Sequence, residues 1–258
     1  RRAEHRARRV PFARSASRGG SALQVELVGV LVHQVLDGGL VAGDRAEVEV
    51  ELGAGAAVMI TSQAAEKVYR STGADTAVAN RLAVAPGGWL EWCPQETILF
   101  DRARLRRTLR LDLAGDARAM LGEMLVLGRR ASGERAGQGL VQDRIEVRHD
   151  GIPVWQDRLR LEGDYAALRE APAGLAGAAA LATFVYAGPD ADRYLEPARE
   201  LLDLADVPAG ASLVDGLLVA RWLGADPLAL RSAFALFWAR FRAAAAGLPP
   251  VLPRLWQV

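Results

Sequence analysis

The chain is nearly empty of lysine, cysteine and histidine. Of its 32 basic Lys and Arg residues only Lys67 is a lysine, Cys93 is the one cysteine, and the three histidines are His5, His33 and His149. One cysteine excludes an intrachain disulfide framework and a Cys-rich zinc module. Histidines this far apart form no H-E-x-x-H pair, so a pre-formed transition-metal site would have to be built mainly from carboxylates. A phosphate-binding P-loop sets its lysine directly after a glycine-rich turn. Lys67 follows Gln63-Ala64-Ala65-Glu66, so that chemistry is absent. The formal charge of +1 leaves no basic excess for a polyanion, whose binding requires cations that displace counterions. No G-x-S-x-G nucleophile elbow occurs.

What is present describes a folded chain. Hydrophobic residues make up 51% and charged residues 24% of 258 positions, enough for a large core. The first 18 residues hold seven arginines and one acid, and residues 1–22 are expected to form a basic arm without regular structure. Residues 23–258 are expected to form a single β-rich domain. No apolar secretory segment follows the arm, which with the lack of disulfides points to the cytoplasm. The uncharged run Ala171 to Pro189 is rich in Ala and Gly with proline at both ends, and reads as a loop leading into a buried strand.

From Leu23 to Tyr186 the apolar pattern has period two. Ala46-Glu47-Val48-Glu49-Val50-Glu51-Leu52 alternates strictly, and Leu105, Leu109, Leu111 and Leu113 alternate with Arg104, Arg106, Arg110 and Asp112. Ile145–Arg148 and Val154–Leu161 read as strands joined by His149-Asp150-Gly151, an Asp-Gly hairpin signal. Turn signals at intervals of roughly ten residues indicate many short strands, in a sandwich, a barrel or a solenoid. Helical spacing appears only late, over about 190–206 and 226–246, with a strand over Ser212–Leu223 between them. Asp226 caps the second helix, Pro227 starts it and Gly247 ends it. Its stripe of Leu230, Phe234, Phe237, Trp238 and Phe241 is expected to pack on the strands.

Three segments carry most of the remaining information. Gly38-Gly39 with Gly43-Asp44 is too poor in glycine spacing for a dinucleotide fingerprint and reads as a tight turn. Thr61 to Ser71 gathers polar groups that a buried strand would have to pair. Leu90 to Asp101 sets Glu91, Glu96 and Asp101 among Trp92, Pro94, Ile98, Leu99 and Phe100, where a carboxylate needs a partner or an altered pKa. Three readings stay open for these acids. They could be the paired carboxylates of a hydrolase, weak oxygen ligands for a metal in transit, or the anionic halves of ion pairs with Arg70, Arg104 or Lys67.

Taken in order, the segments resemble the UreD family of urease accessory proteins, called UreH in some species. The resemblance rests on Gly38, Gly39 and Asp44; on Gln63, Lys67, Tyr69 and Arg70; on Glu91 with Trp92, Pro94, Gln95, Glu96 and Phe100; on Glu123-Met124 with Leu127-Gly128-Arg129; and on Trp238, Arg242 and Pro253-Arg254-Leu255-Trp256. It spans roughly His33 to Trp256. Asp37 departs from it, standing where the family usually has proline. The resemblance implies a β-helix-like stack of strands with a few C-terminal helices, and a non-catalytic urease maturation chaperone. Such a chaperone binds apo-urease and a helical UreF-like accessory protein, through which a nickel-carrying UreG-like GTPase is recruited. It holds no tightly bound cofactor, and nickel passes through it in transit. Glu91, Glu96, Asp101 and Glu123 are then candidates to line the route, because oxygen donors release nickel where several imidazoles or thiolates would keep it. A carboxylate-dependent hydrolase or a generic β-rich interaction module is the alternative.

Overall fold

A computed structural model describes residues 39–129, 133 and 136–256, with the backbone of a first strand, β1 (Val30–His33). The expected arm over 1–22, Gly38 and the His33 side chain lie outside the described residues. The strands form two sheets packed face to face. One sheet contains β2 (Arg45–Leu52), β5 (Thr76–Val84), β8 (Arg104–Leu113), β10 (Gln138–His149) and β11 (Ile152–Asp164), in the order β11-β10-β8-β5-β2. The other runs β1-β3-β6-β9-β12-β14-β13, through β3 (Ala57–Ser62), β6 (Trp89–Trp92), β9 (Arg118–Leu127), β12 (Ala180–Ala187), β14 (Leu217–Gly224) and β13 (Ala209–Val214). Two short strands, β4 (Glu66–Val68) and β7 (Thr97–Leu99), join this second sheet beside β9.

The chain coils as a solenoid. It crosses between sheets from β2 to β3, β5 to β6 and β8 to β9, and each pass lies parallel to the one before. The corners stack as well. Gly55 N–H donates to Pro86 O at 3.0 Å, Gly87 N–H to the Asp116 carboxylate at 2.7 Å, and Gly115 N–H to the Asp150 carboxylate at 3.0 Å. Gly87 and Gly115 hold φ of +71° and +57°, which a side chain would strain. After β9 the direction alternates: β10 and β11 form the expected Asp150-Gly151 hairpin, and β12 and β14 run antiparallel.

Period two explains the layers. In β2 the exposed residues are Arg45, Glu47, Glu49 and Glu51, while Leu52 is buried. Inward leucines and valines of both sheets build two inter-sheet cores. One is centred on Leu109, Leu121, Ile145 and Val185, and the other on Leu105, Leu125, Val141 and Leu161. A third core lies on the far face of the larger sheet, beneath helix α3 (Pro227–Ala246).

Helix α3 begins and ends as the capping residues dictate. Asp226 accepts the Leu228 N–H at 3.0 Å, Pro227 occupies the first turn, and Gly247 closes the helix at φ +64°. Phe184 of β12 meets the rings of Phe237, Trp238 and Phe241 at centroid distances of 5.0, 5.4 and 5.0 Å, all edge-on. The segment 190–206 is a 3-10 turn (Ala191–Tyr194) followed by α2 (Leu195–Leu202). The expected single strand over Ser212–Leu223 is a hairpin, because Asp215 and Gly216 turn the chain at φ +49° and +81°. A further short helix, α1 (Tyr165–Glu170), starts where Asp164 accepts the N–H groups of Ala166 and Ala167. Six residues are too few to show a helical period in the sequence. Among the described residues no helix is long and apolar enough to cross a membrane.

Candidate functional site

The block Leu90 to Asp101 is the platform on which the C-terminal helix is bolted. Glu91 is 1% exposed and lies under α3. Arg242 reaches it through Nε and Nη2, both at 2.9 Å, and Trp238 and Trp89 donate their indole N–H groups to it at 2.9 and 3.1 Å. The remaining Arg242 nitrogen, Nη1, donates to Pro249 O at 2.7 Å and Val251 O at 3.2 Å, tying down the tail beyond the helix. Trp256 then donates to Thr61 Oγ1 and Cys93 O at 3.1 and 3.3 Å. Arg231 completes the clamp, pairing with Glu96 at 3.1 Å, donating to Gln95 at 3.2 Å and lying over the Trp256 ring. Asp101 accepts the N–H groups of Gly137 and Gln138 at 2.9 and 3.2 Å, which locks the start of β10, and also pairs with Arg102.

Arginine partners were therefore needed, but not the expected ones. Glu91 and Glu96 pair with Arg242 and Arg231, residues far along the chain that the sequence cannot place nearby. Arg70 is exposed and makes an isolated β-bridge to Ala103. Arg104 pairs with Asp75 at 2.5 Å. Lys67 has an exposed side chain; its carbonyl accepts the Leu40 N–H at 2.7 Å.

The glycine-rich and polar motifs meet each other. A Cβ on Gly39 would lie 2.7 Å from Lys67 O and 2.8 Å from the Tyr69 ring, so no side chain fits there. Tyr69 meets Phe100 edge-on at 4.6 Å, and Arg129 lies over the Phe100 ring at 4.3 Å. Asp44 accepts the Val41 N–H at 2.9 Å, closing the turn. Gln95 N–H donates to Ser62 Oγ at 2.8 Å, while Gln63 is exposed and Pro94 half-buried. The close fit of Gly39, the Tyr69–Phe100 contact and the Gln95–Ser62 bond hold neighbouring rungs together.

Glu123 has a different setting. On the inter-sheet faces, one polar row crosses the sandwich and separates the two leucine-rich cores. Arg107 of β8 is buried in the phase of Leu105 and Leu109, and Glu123 of β9 lies in the phase of Leu121 and Leu125. Arg107 Nη1 lies 2.5 Å from Glu123, its Nε and Nη2 grip both oxygens of Asp143 at 3.0 and 2.5 Å, and Nη1 also donates to Thr97 at 3.0 Å. The other Glu123 oxygen accepts the Trp92 indole N–H at 2.9 Å. Burial pushes the Glu123 carboxyl up to about 7, against the pull of Arg107. Burial also raises Glu66 on β4, with Arg107 and Thr97 opposing it.

Beyond Glu123 the row opens into a cavity of about 290 Å³. Glu123 pairs in register with Thr183 of β12, and Thr183 with Arg221 of β14. Asp143, Asp157 and Leu159 supply the opposite wall, and an Asp157–Arg221 pair at 3.0 Å links the two sheets at the half-exposed end. Of the four acids expected on a route, Glu123 lines this cavity, whereas Glu91, Glu96 and Asp101 are held in the clamp and the β10 lock. Among the described residues no three His, Cys, Asp or Glu side chains converge as a metal-binding group. Arg107, Asp143, Asp157 and Thr183 were missed by sequence reasoning. The signal for two of them was present: Arg107 and Asp143 are charged residues in the apolar inward phase of alternating strands, between Leu105 and Leu109 and between Val141 and Ile145.

Comparison with known proteins shows the family of the chain. The family model described as UreD urease accessory protein matches residues 3–257. A urease accessory protein UreD of Magnetococcus marinus is 46% identical over 235 residues, covering 88% of this chain and 81% of the relative. A urease accessory protein UreD 2 of Methylorubrum populi is 47% identical over 233 residues, covering 90% and 76%. The UreD of Pseudomonas fluorescens is 39% identical over 228 residues, covering 88% and 80%. The chain belongs to the UreD family of urease accessory proteins.

Proposed function

We propose that this chain acts in urease maturation as a non-catalytic assembly protein that binds apo-urease and lets nickel pass along the polar row between its sheets. The observation that carries the reading is the cavity beside Glu123, Asp143 and Asp157, where acids from both sheets face a shared open volume. Oxygen donors suit cargo that must leave again, since nickel binds imidazole and thiolate sites more tightly. A helical UreF-like protein and, through it, a nickel-carrying UreG-like GTPase are the partners this reading adds, with the cytoplasm as the place of assembly. Nickel is cargo here, and the role of the chain is to shape and charge its passage.

Co-expression of urease and its accessory proteins with and without this chain tests the reading. Urease purified without the chain should contain little nickel, and the chain should copurify with urease subunits. Equal nickel content in both preparations would refute it.

A further inference from the structure

Arg107 is the feature of the polar row that transit alone does not explain. A passage for divalent cations gains nothing from a buried guanidinium at its inner end, because like charges repel most strongly where the dielectric is low. Yet Arg107 has a side chain only 3% exposed and spends its donors on Glu123, Asp143 and Thr97. Both Glu123 oxygens are occupied, one by Arg107 and one by Trp92, and both Asp143 oxygens are held by the same guanidinium. The charge of these two cavity-lining carboxylates is thus already opposed by a cation. Glu66 lies close enough for its own charge to act on Arg107 as well.

We propose that Arg107 is the built-in counter-cation of this passage: it fills the place a divalent ion would take between Glu123 and Asp143, so a passing ion exchanges with it and is not captured. The inference rests on the reading of the row as a nickel route. Without the guanidinium, two buried carboxylates would face each other with no cation between them. Side-chain rotation could then bring oxygens of both onto one ion, with water completing the shell. The pair would become a trap. Lysine could not replace arginine fully, because a point charge cannot grip both oxygens of Asp143 and still reach Glu123 and Thr97.

The test is Arg107→Gln in the full chain, titrated with nickel chloride and, as a control, magnesium chloride. The variant should bind nickel about tenfold or more tightly than the wild type, and nickel should raise its unfolding midpoint while leaving the wild type unchanged. A folded variant that binds nickel no more tightly than the wild type overturns the proposal. Should Arg107→Gln fail to fold alone, Glu66→Gln combined with it removes one acid yet keeps Glu123 and Asp143. The same gain in nickel binding is expected, and its absence overturns the proposal. Urease matured with the trapping variant should contain less nickel. If the variant traps nickel while urease fills normally, the row is not the route, and the passage reading and the counter-cation proposal that rests on it both fail; a folded variant that gains no nickel affinity overturns the proposal alone.

Discussion

Glu91→Ala should unfold the clamp, not block a passage. Glu91 is 1% exposed and accepts from Arg242, Trp238 and Trp89. Breaking a buried ion pair by removing one partner costs about 3–5 kcal/mol, because the remaining charge stays buried. Here Arg242 keeps two carbonyl acceptors, Pro249 O and Val251 O, which softens that loss. Two indole N–H groups lose their acceptor, which adds about 1–3 kcal/mol each where water cannot reach. Trp89 is half-buried, so water reaches its end of the site. With the low end of each range, about 3 kcal/mol for the pair and about 1 kcal/mol for each indole, less the softening, a net loss of about 4 kcal/mol is expected. For a chain of this size each kcal/mol moves the melting temperature by about 2–4 °C, so the midpoint should fall by on the order of 10 °C. Thermal unfolding by circular dichroism on the full chain measures it. Adding Arg242→Met should give a double variant less destabilised than the sum of the two single ones, by about 1 kcal/mol or more. A Glu91→Ala protein that melts with the wild type yet fails to load urease with nickel would refute this reasoning and return Glu91 to the route.

Other outcomes follow from the same contacts. Gly122→Ala places a methyl group 2.6 Å from the Phe234 ring and 2.7 Å from Trp238; it should cost about 1–3 kcal/mol and lower the denaturant midpoint. Asp226→Ala removes the cap of α3 and should cost about 1 kcal/mol in the same assay. Glu123 titrates near 7 when folded and near 4.5 otherwise, so its contribution is full below about 4.5 and is lost as pH rises through about 7. Glu123→Gln cannot ionise; its stability relative to the wild type should climb across that window, by on the order of 3 kcal/mol, and a pH-independent difference would contradict the assignment.

Local pattern carried much of the fold. Strict alternation in Arg45–Leu52 and the Asp150-Gly151 turn marked β2 and the β10–β11 hairpin, and Asp226-Pro227 with Gly247 marked both ends of α3. The stacking of rungs was not readable from these signals. It depends on parallel pairing between strands far apart in the chain, as in β5 on β8, which no local pattern encodes. The site divided along the same line. Carboxylates in apolar surroundings flagged Glu91 and Glu96 as groups in need of partners, but Arg242 and Arg231 reach them only because α3 folds back over β6. Arg107 and Asp143 stood in the inward phase of β8 and β10. In one dimension such residues look like interruptions of a strand, and only the parallel register sets them side by side in one row.

If nickel passes through the cavity beside Glu123, obstructing that cavity must hinder it. Thr183 lines the cavity between Glu123 and Arg221, and Thr183→Trp would set an indole into its 290 Å³. The decisive measurement is the nickel content of urease co-expressed with this variant, alongside Thr183→Ser and a copurification assay of the complex. With the complex intact, nickel per urease should fall sharply for Thr183→Trp and stay at the wild-type level for Thr183→Ser. Full nickel loading past the obstructing indole would contradict the account.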